Sequence, residues 1–193
     1  MKHSAFLLAA VLAAVFSVQA ESKTDINGSF ERCRADSRGF AVPEGWVRDK
    51  QSKKIKFSAT TEEVRSGKFS LYIETEENSI SHLYHYPAPI KAKAGDTIVF
   101  TVYGKGEGTF HIGAIAYSDE DKSIFLRTLA PKAQKVSDGE NWKKFTFTLR
   151  VGKQKRKGKE YQNFRLRPTI IVRDAAEFAL DDLSYEKKEG GAE

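Results

Sequence analysis

Short segments in which hydrophobic and polar residues alternate recur along the chain from about residue 54 onward. In one of them Ile98, Phe100 and Val102 fall on one side of an extended chain, and Thr101 and Tyr103 fall on the other. Because successive side chains of a β-strand point to opposite faces, each such segment has one face suited to burial. The pattern predicts strands at Lys54 to Ala59, Phe69 to Thr75, Asp96 to Gly104, Thr109 to Tyr117, Trp142 to Val151, Asn163 to Val172 and Glu177 to Tyr185.

Turn-forming residues separate these segments. The glycine-rich stretch from Gly104 to Gly108 is expected to link two strands, and Asp138-Gly139 precedes the strand at Trp142. The stretch from Ser123 to Val136 would hold at most one turn of helix, because Pro131 interrupts it. Short strands at regular spacing with turns between them predict an all-β sandwich or jelly roll.

The first 20 residues have a different pattern. Lys2 and His3 precede an apolar run from Ala5 to Phe16. The segment Val18-Gln19-Ala20 follows and resembles a signal-peptidase cleavage site with small residues. This arrangement predicts a secretory signal peptide at residues 1–20, and the protein is expected to be secreted or periplasmic. The apolar run is shorter than the roughly 20 residues that a membrane-spanning helix needs, so no membrane span is expected, although a retained anchor is the alternative.

Composition fits one globular domain at residues 21–187, followed by a flexible charged tail at residues 188–193. The 193 residues are 40% hydrophobic and 30% charged, which excludes a disordered or collagen-like chain. The chain has one cysteine, Cys33, and therefore no intrachain disulfide. We expect Cys33 to be a partly buried thiol, with an intermolecular disulfide as the alternative, and we expect a monomer.

Short motifs near both ends of the domain point to a known family. They are Asn27 to Glu31, Pro43 to Trp46, Ser66 to Leu71 and Phe178 to Ser184. In this order and spacing they resemble the carbohydrate-binding modules of families 4, 9 and 22, over nearly all of residues 25–187. The resemblance implies a jelly-roll β-sandwich of the galactose-binding-domain-like type.

The same resemblance implies a structural calcium ion that joins the two ends of the chain. The motif residues that match side-chain ligands are Glu31 and Asp181, and backbone carbonyls around Gly67 and Lys68 match the loop that completes the site. Calcium requires six to eight oxygen ligands, so these groups would have to converge. Alternatively, the two acids cap turns or pair with lysines.

Trp46 and Trp142 could stack on sugar rings, because exposed aromatic side chains pack against the apolar faces of sugars. Both tryptophans, however, fall at positions of the resembling modules that look structural. We therefore expect both to pack in the core.

Alternation also predicts an outward sheet face that could bind a ligand. If Phe110, Ile112, Phe164 and Leu166 point into the core, the residues between them point to solvent. Arginine side chains on such a face can bind hydroxyls, or carboxylates with two hydrogen bonds. The alternative is an ordinary solvated sheet face. The candidate ligand-binding residues are Tyr84, Tyr86, Tyr103, His111, Tyr117, Arg165 and Arg167.

The positive charge is unevenly spread. The formal net charge is +6, and the segment from Lys153 to Lys159 alone carries five positive charges in seven residues. Such a segment is expected to form an exposed hairpin loop, either merely solvated or attracted to an anionic glycan or a negatively charged cell surface. Nucleic acid is not an expected partner, because the chain is exported and has no nucleic-acid-binding signature.

Signatures of catalysis are few. There is no Gly-x-Ser-x-Gly or His-Glu-x-x-His motif, and His82 and His85 would face opposite sides of a strand. We therefore predict a non-catalytic carbohydrate-binding module, with an acidic polysaccharide or oligosaccharide as its partner. The alternatives are a cell-surface module that binds or assembles proteins, and a small polysaccharide-degrading enzyme.

Overall fold

The computed structural model describes residues 25–36, 40–52, 54–87 and 89–190, in which all regular secondary structure is β-strand. The predicted signal peptide and residues 191–193 of the tail lie outside these ranges. No helix in the described ranges is long and apolar enough to cross a membrane. The strands are β1 (Cys33–Ala35), β2 (Ala41–Pro43), β3 (Trp46–Arg48), β4 (Ile55–Thr60), β5 (Ser70–Thr75), β6 (Ile80–His85), β7 (Ile90–Lys93), β8 (Thr97–Ser118), β9 (Phe125–Leu129), β10 (Gln134–Arg150), β11 (Gln154–Arg156), β12 (Lys159–Tyr161) and β13 (Asn163–Lys188).

Two long antiparallel strands, β8 and β13, run side by side through the molecule. Residues 109–118 of β8 and 163–173 of β13 pair with β9 on one side and with β6 and β7 on the other, and β3 pairs with β6. We call this half of the sheet the first layer. Residues 97–107 of β8 and 176–188 of β13 lie in the order β10-β8-β13-β5-β4, which we call the second layer.

The two layers pack face to face around an aromatic core. Phe110 of the first layer lies 5.3 Å from Phe145, 5.2 Å from Phe147 and 5.3 Å from Phe178, all measured between ring centroids. Even-numbered hydrophobic residues of β8, from Ile98 to Ala116, are fully buried. The predicted burial of Phe110, Ile112, Phe164 and Leu166 is confirmed. The fold is the predicted all-β sandwich.

The glycine-rich stretch does not form the predicted turn, because β8 continues through it as one strand. Gly106 and Gly108 have φ values of 120° and 151°, which side-chain-bearing residues rarely adopt. The register of β13 shifts between Arg173 and Glu177, opposite these glycines. A Cβ at Gly106 would lie 2.5 Å from the Glu177 carbonyl oxygen. The glycines therefore mark a bend with close backbone approach, where β8 passes from one layer to the other.

Two further segments differ from the prediction. The two strands predicted between Asn163 and Tyr185 are one strand, β13, with irregular register at the bend. The segment from Ser123 to Val136 contains β9 and the start of β10 rather than a turn of helix. Pro131 falls between these strands, where it removes no ladder hydrogen bond.

The motifs that carried the family resemblance pack together and join the chain ends. The Asn27 side chain donates to the carbonyl oxygens of Arg32 at 2.8 Å and Glu44 at 3.1 Å. The Leu183 N–H donates to Gly28 O at 2.9 Å, and a Cβ on Gly28 would clash with the Leu183 carbonyl oxygen. These motifs are therefore determinants of the fold.

A candidate ligand-binding face

The outward face of the first layer brings together residues from three strands. Arg165 and Arg167 lie on β13, Tyr117 lies on β8, Tyr84 lies on β6, and Tyr86 follows directly after β6. In the register, Arg165 is opposite Tyr117 and Thr169 is opposite Tyr84. Five of the seven residues predicted to bind a ligand therefore meet on one surface.

These side chains point outward because their neighbours are in the core. On β13, Phe164 and Leu166 are buried, so Arg165 and Arg167 point to the opposite, outward side of the strand. Arg165, Arg167, Tyr84 and Tyr117 are each half-buried, which leaves part of every side chain accessible. The period of two in the sequence thus fixes which residues reach this face.

Arg167 lies between two tyrosine rings. Its guanidinium carbon is 4.5 Å from the ring centroid of Tyr86 and 4.6 Å from that of Tyr117. Contacts of this kind are attractive, because the negative face of an aromatic ring interacts with the cation. They also restrict the guanidinium to one orientation before any ligand arrives. We call Tyr86, Arg167 and Tyr117 the tyrosine–arginine stack.

The charge of the two arginines is not neutralised within the described part of the chain. No carboxylate there forms an ion pair with Arg165 or Arg167 at 4.0 Å or less. An arginine fork binds a carboxylate with two parallel hydrogen bonds, and these charge-assisted bonds are stronger than bonds between neutral groups. The face can therefore accept an anionic group.

Three residues that the sequence analysis did not select also belong to this region. Phe125 packs edge-on against Tyr117, with ring centroids 6.1 Å apart, and 43% of its surface is exposed. Pro89 and Lys122 line a small cleft together with Tyr117 and the two arginines. Phe125 was missed because the neighbouring Pro131 obscured strand β9, whose alternating residues were the available signal.

Tyr84 keeps its proton at neutral pH. Burial, followed by the negative charge of Asp49, raises the pKa of its hydroxyl above the ordinary value. The side chain can therefore act as a hydrogen-bond donor to a ligand.

His111, a predicted ligand-binding residue, lies on the outward face but is covered. Its Nδ1 lies 2.8 Å from the Pro131 carbonyl oxygen, and its Nε2 accepts a hydrogen bond from Arg173 Nε at 3.0 Å. Nδ1 must then carry the proton and donate it to Pro131. Both ring nitrogens are engaged and the residue is buried, so we remove His111 from the candidate ligand contacts.

Tyr103, another predicted member, belongs to the second layer. It lies on β8 before the glycine bend, opposite Asp181 of β13 and Lys144 of β10. The Arg65 guanidinium carbon lies 3.5 Å from its ring centroid. The prediction assumed that one outward side of the strand means one surface, and the bend separates the two parts.

The predicted calcium ligands do converge on one loop, residues 65–69. Asp181 Oδ2 accepts hydrogen bonds from the N–H groups of Arg65 and Ser66, both at 3.1 Å. Glu31 Oε1 accepts from Lys68 N at 2.9 Å and Phe69 N at 3.1 Å. The two carboxylates therefore hold the loop from both ends, which is the capping role that the sequence analysis gave as the alternative.

These contacts limit how a calcium ion would fit. Among the described residues no group of three or more His, Cys, Asp or Glu side chains is arranged to hold a metal ion. Most of the six to eight oxygens would have to be backbone carbonyls or waters beside Glu31 and Asp181, and the family resemblance implies a carbonyl at Lys68. Burial is the main cause that raises the pKa of Asp181, and a nearby cation would oppose that effect.

The tryptophans differ from each other in their surroundings. Trp46 is buried as predicted, and its Nε1 donates to Ile26 O at 3.0 Å. Trp142 is half-buried at an irregular point of the β10 register and does not join the core, which corrects the prediction.

A separate groove of about 830 Å³ lies beside Phe40, Phe57 and Tyr72, with charged side chains of both signs around it.

Comparisons with known proteins establish the fold. No family profile matches the sequence, and no curated protein is detectably similar to it. Among solved structures, the CBM22-1 xylan-binding domain of Paenibacillus barcinonensis Xyn10C matches with a TM-score of 0.50 and 16% identity, over 78% of this chain and 90% of that one. The chain has the jelly-roll fold of carbohydrate-binding modules.

The same fold also occurs in enzymes. A cyclase from Fischerella sp. TAU, solved with 4-(1H-indol-3-yl)butan-2-one, matches with a TM-score of 0.55 and 12% identity, over 86% of this chain and 96% of that one. An arabinose-bound α-L-arabinofuranosidase matches with a TM-score of 0.57 and 10% identity, but this chain spans only 26% of its length. Function must therefore be argued from the site itself.

Proposed function

We propose that this protein is an exported, non-catalytic carbohydrate-binding module that binds an acidic polysaccharide through the tyrosine–arginine stack. The observation that carries the proposal is Arg167, oriented between Tyr86 and Tyr117 without a carboxylate partner in the described chain. The jelly-roll fold supports the proposal, because carbohydrate-binding modules share it.

The residue types suit a sugar acid. Tyr86, with 57% of its surface exposed, offers an aromatic edge and a hydroxyl to a sugar ring. Arg165 and Arg167 are two residues apart on one strand and therefore about 7 Å apart along it. Two cations at this spacing can contact more than one anionic group of a polyuronate chain.

The composition of the face favours binding without catalysis. Glycoside hydrolysis by the common mechanisms requires two carboxylates beside the scissile bond, and none lines the cleft beside Arg165 and Arg167. Catalysis is the second candidate function. The observation that favours it is the similarity of this fold to that of the cyclase.

The test is binding of purified protein to a panel of neutral and uronate-containing polysaccharides, with assays for released reducing ends and unsaturated sugars. We expect retention on polyuronates and weaker retention on neutral glycans. Arg167→Ala should weaken polyuronate binding about tenfold or more, since charge-assisted hydrogen bonds contribute roughly 1.5–3 kcal/mol each. Arg167→Lys should recover only part of the affinity, because lysine lacks the planar fork.

A matched control is Arg150→Ala, which removes an exposed arginine from β10 of the second layer. Its affinity should equal that of the unmodified protein. Equal binding to neutral and acidic glycans would refute the acidic preference. Product release would establish catalysis, and absence of glycan binding together with capture of a specific protein partner would favour the assembly module.

A further inference from the structure

The basic segment forms an ordered hairpin. Strands β11 and β12 pair antiparallel, and Lys157 and Gly158 at the turn have positive φ values of 50° and 78°. Two-residue turns with this geometry match the twist of the flanking strands. Tyr161 at the end of β12 is buried in the core and anchors the hairpin.

Charge within the hairpin is only partly compensated. Lys153 pairs with Glu160 at 3.5 Å, and Lys159 pairs with Glu120 at 2.6 Å. The three remaining cations are exposed and have no ion pair with the described residues. We call these three cations, Lys155, Arg156 and Lys157, the basic tip.

One loop contacts both the hairpin and the candidate ligand-binding face. This loop, residues 119–124, follows directly after β8, which carries Tyr117. Its Glu120 holds Lys159 of the hairpin, and its exposed Lys122 lines the cleft beside Arg165. The loop also carries Asp119 and Asp121, so the cations of the face and those of the basic tip form two separate patches, which the Glu120–Lys159 ion pair joins.

We propose that the basic tip is a second contact for the same anionic polysaccharide, and that it binds the part of a long chain extending beyond the face. This inference rests on the proposed function of the face. A flexible polyanion held at one site stays at high local concentration near a second cationic site, so a weak second contact raises the overall affinity. Exposed cations attract such a chain most strongly at low salt.

The hairpin fits a polysaccharide better than a membrane. Its exposed residues from Lys153 to Lys159 are lysine, arginine, glutamine and glycine, without an apolar side chain. Interfacial membrane segments combine basic residues with apolar ones that insert among the lipids. The occupant we infer is therefore a polyuronate chain.

The experiment compares chain lengths. Binding of trigalacturonate and of polygalacturonate is measured by calorimetry at about 20 mM and 500 mM salt, for the unmodified protein and for a Lys155→Gln/Lys157→Gln variant. We expect equal affinity for the trimer, and about tenfold weaker polymer binding by the variant at low salt. The difference should largely vanish at high salt, where the Debye length is only a few ångströms.

The matched control is Lys135→Gln/Lys144→Gln, which removes the same charge from exposed positions on β10. Its polymer affinity should exceed that of the hairpin variant. Equal polymer binding by the hairpin variant and the unmodified protein would overturn the second contact. Loss of polymer binding in Arg167→Ala would at the same time still support the proposed function of the face.

Three other results would also overturn the inference. If the hairpin variant loses trimer affinity, the tip belongs to the primary site rather than to a second one. If the unmodified protein binds no polyuronate, the proposed function and the second contact both fail. Binding of phosphatidylserine vesicles that depends on Lys155 and Lys157, with unchanged polymer affinity, would assign the tip to a membrane surface.

Discussion

Tyr72 lies among carboxylates on the outer face of the second layer. Its hydroxyl donates to Glu177 Oε1 at 2.8 Å. Burial, followed by this hydrogen bond and by the charges of Glu177 and Glu74, raises its pKa from 10.0 to about 12. Each of these causes disfavours the ionised tyrosine, so the folded protein holds this proton more tightly than the unfolded chain.

The raised pKa predicts an alkaline loss of stability that depends on Tyr72. Between about pH 10 and pH 12 the unfolded chain releases this proton while the folded protein retains it, so the free energy of unfolding falls as pH rises. Tyr72→Phe has no such proton and should show a smaller fall over the same range. Urea unfolding at pH 9 and pH 11.5 measures the two slopes, and identical slopes would contradict the assignment.

At the scale of elements, the shared strands β8 and β13 build both layers. A strand can serve two packed layers only if it bends sharply, and bulges and glycines allow this. Glycines and a register shift lie opposite each other in the two strands: Gly106 and Gly108 are on β8, and the register of β13 shifts after Arg173. The candidate ligand-binding face begins directly beyond this bend.

Gly106→Ala should therefore destabilise the protein strongly. The new Cβ would lie 2.5 Å from the Glu177 carbonyl oxygen, at a φ of 120° that alanine rarely adopts. Backbone strain of this kind costs about 1–3 kcal/mol, and the steric clash adds to it. Thermal and urea unfolding give the loss directly.

Gly152→Ala is the matched control for this substitution. Nothing lies within 4 Å of a Cβ at Gly152, and its backbone is not in the strained region. Its stability should change by less than about 1 kcal/mol. A Gly106→Ala protein as stable as the Gly152→Ala protein would show that the bend does not require glycine.

Across the whole molecule, the exposed cations differ in how far neighbouring carboxylates compensate them. On the second layer Lys56 pairs with Glu74 and Lys105 pairs with Glu63. Arg165, Arg167 and the basic tip, on or beside the first layer, form no ion pair with the described residues. A net charge of +6 describes this distribution poorly. The uncompensated cations of the face and of the basic tip would attract an anionic partner, most strongly at low salt.

Calcium remains a proposal that concerns the whole molecule, since the ion would join the two ends of the chain near Glu31 and Asp181. If calcium binds the folded protein and not the unfolded chain, its removal lowers the melting temperature. We expect a lower melting temperature in EDTA and recovery when calcium, but not magnesium, is added in excess. An unchanged melting temperature would show that the hydrogen bonds of the two carboxylates hold the loop without a metal.

The sequence predicted much of the core and part of the site. Alternation placed Phe110 and Leu166 inside and Arg167 outside, because a strand has a side-chain period of two whatever its partners are. The glycine-rich stretch was predicted to be a turn between two strands, because glycine is compatible both with a turn and with a bend inside one strand. The sequence does not show that the backbone of β13 lies against these glycines. Phe125 was overlooked because Pro131 obscured strand β9, and its contact with Tyr117 joins residues of two different strands.

The sequence by itself determined the fold class, the inward and outward faces of the strands and the presence of a basic hairpin. These features follow from local periodicity, turn chemistry and the cost of burying charge. Only the tertiary structure decided which outward residues share a surface: it united Tyr86, Arg167 and Tyr117, covered His111 and placed Tyr103 on the other layer. Those outcomes depend on strand order and on the bend in β8, which arise from contacts between residues far apart in the chain.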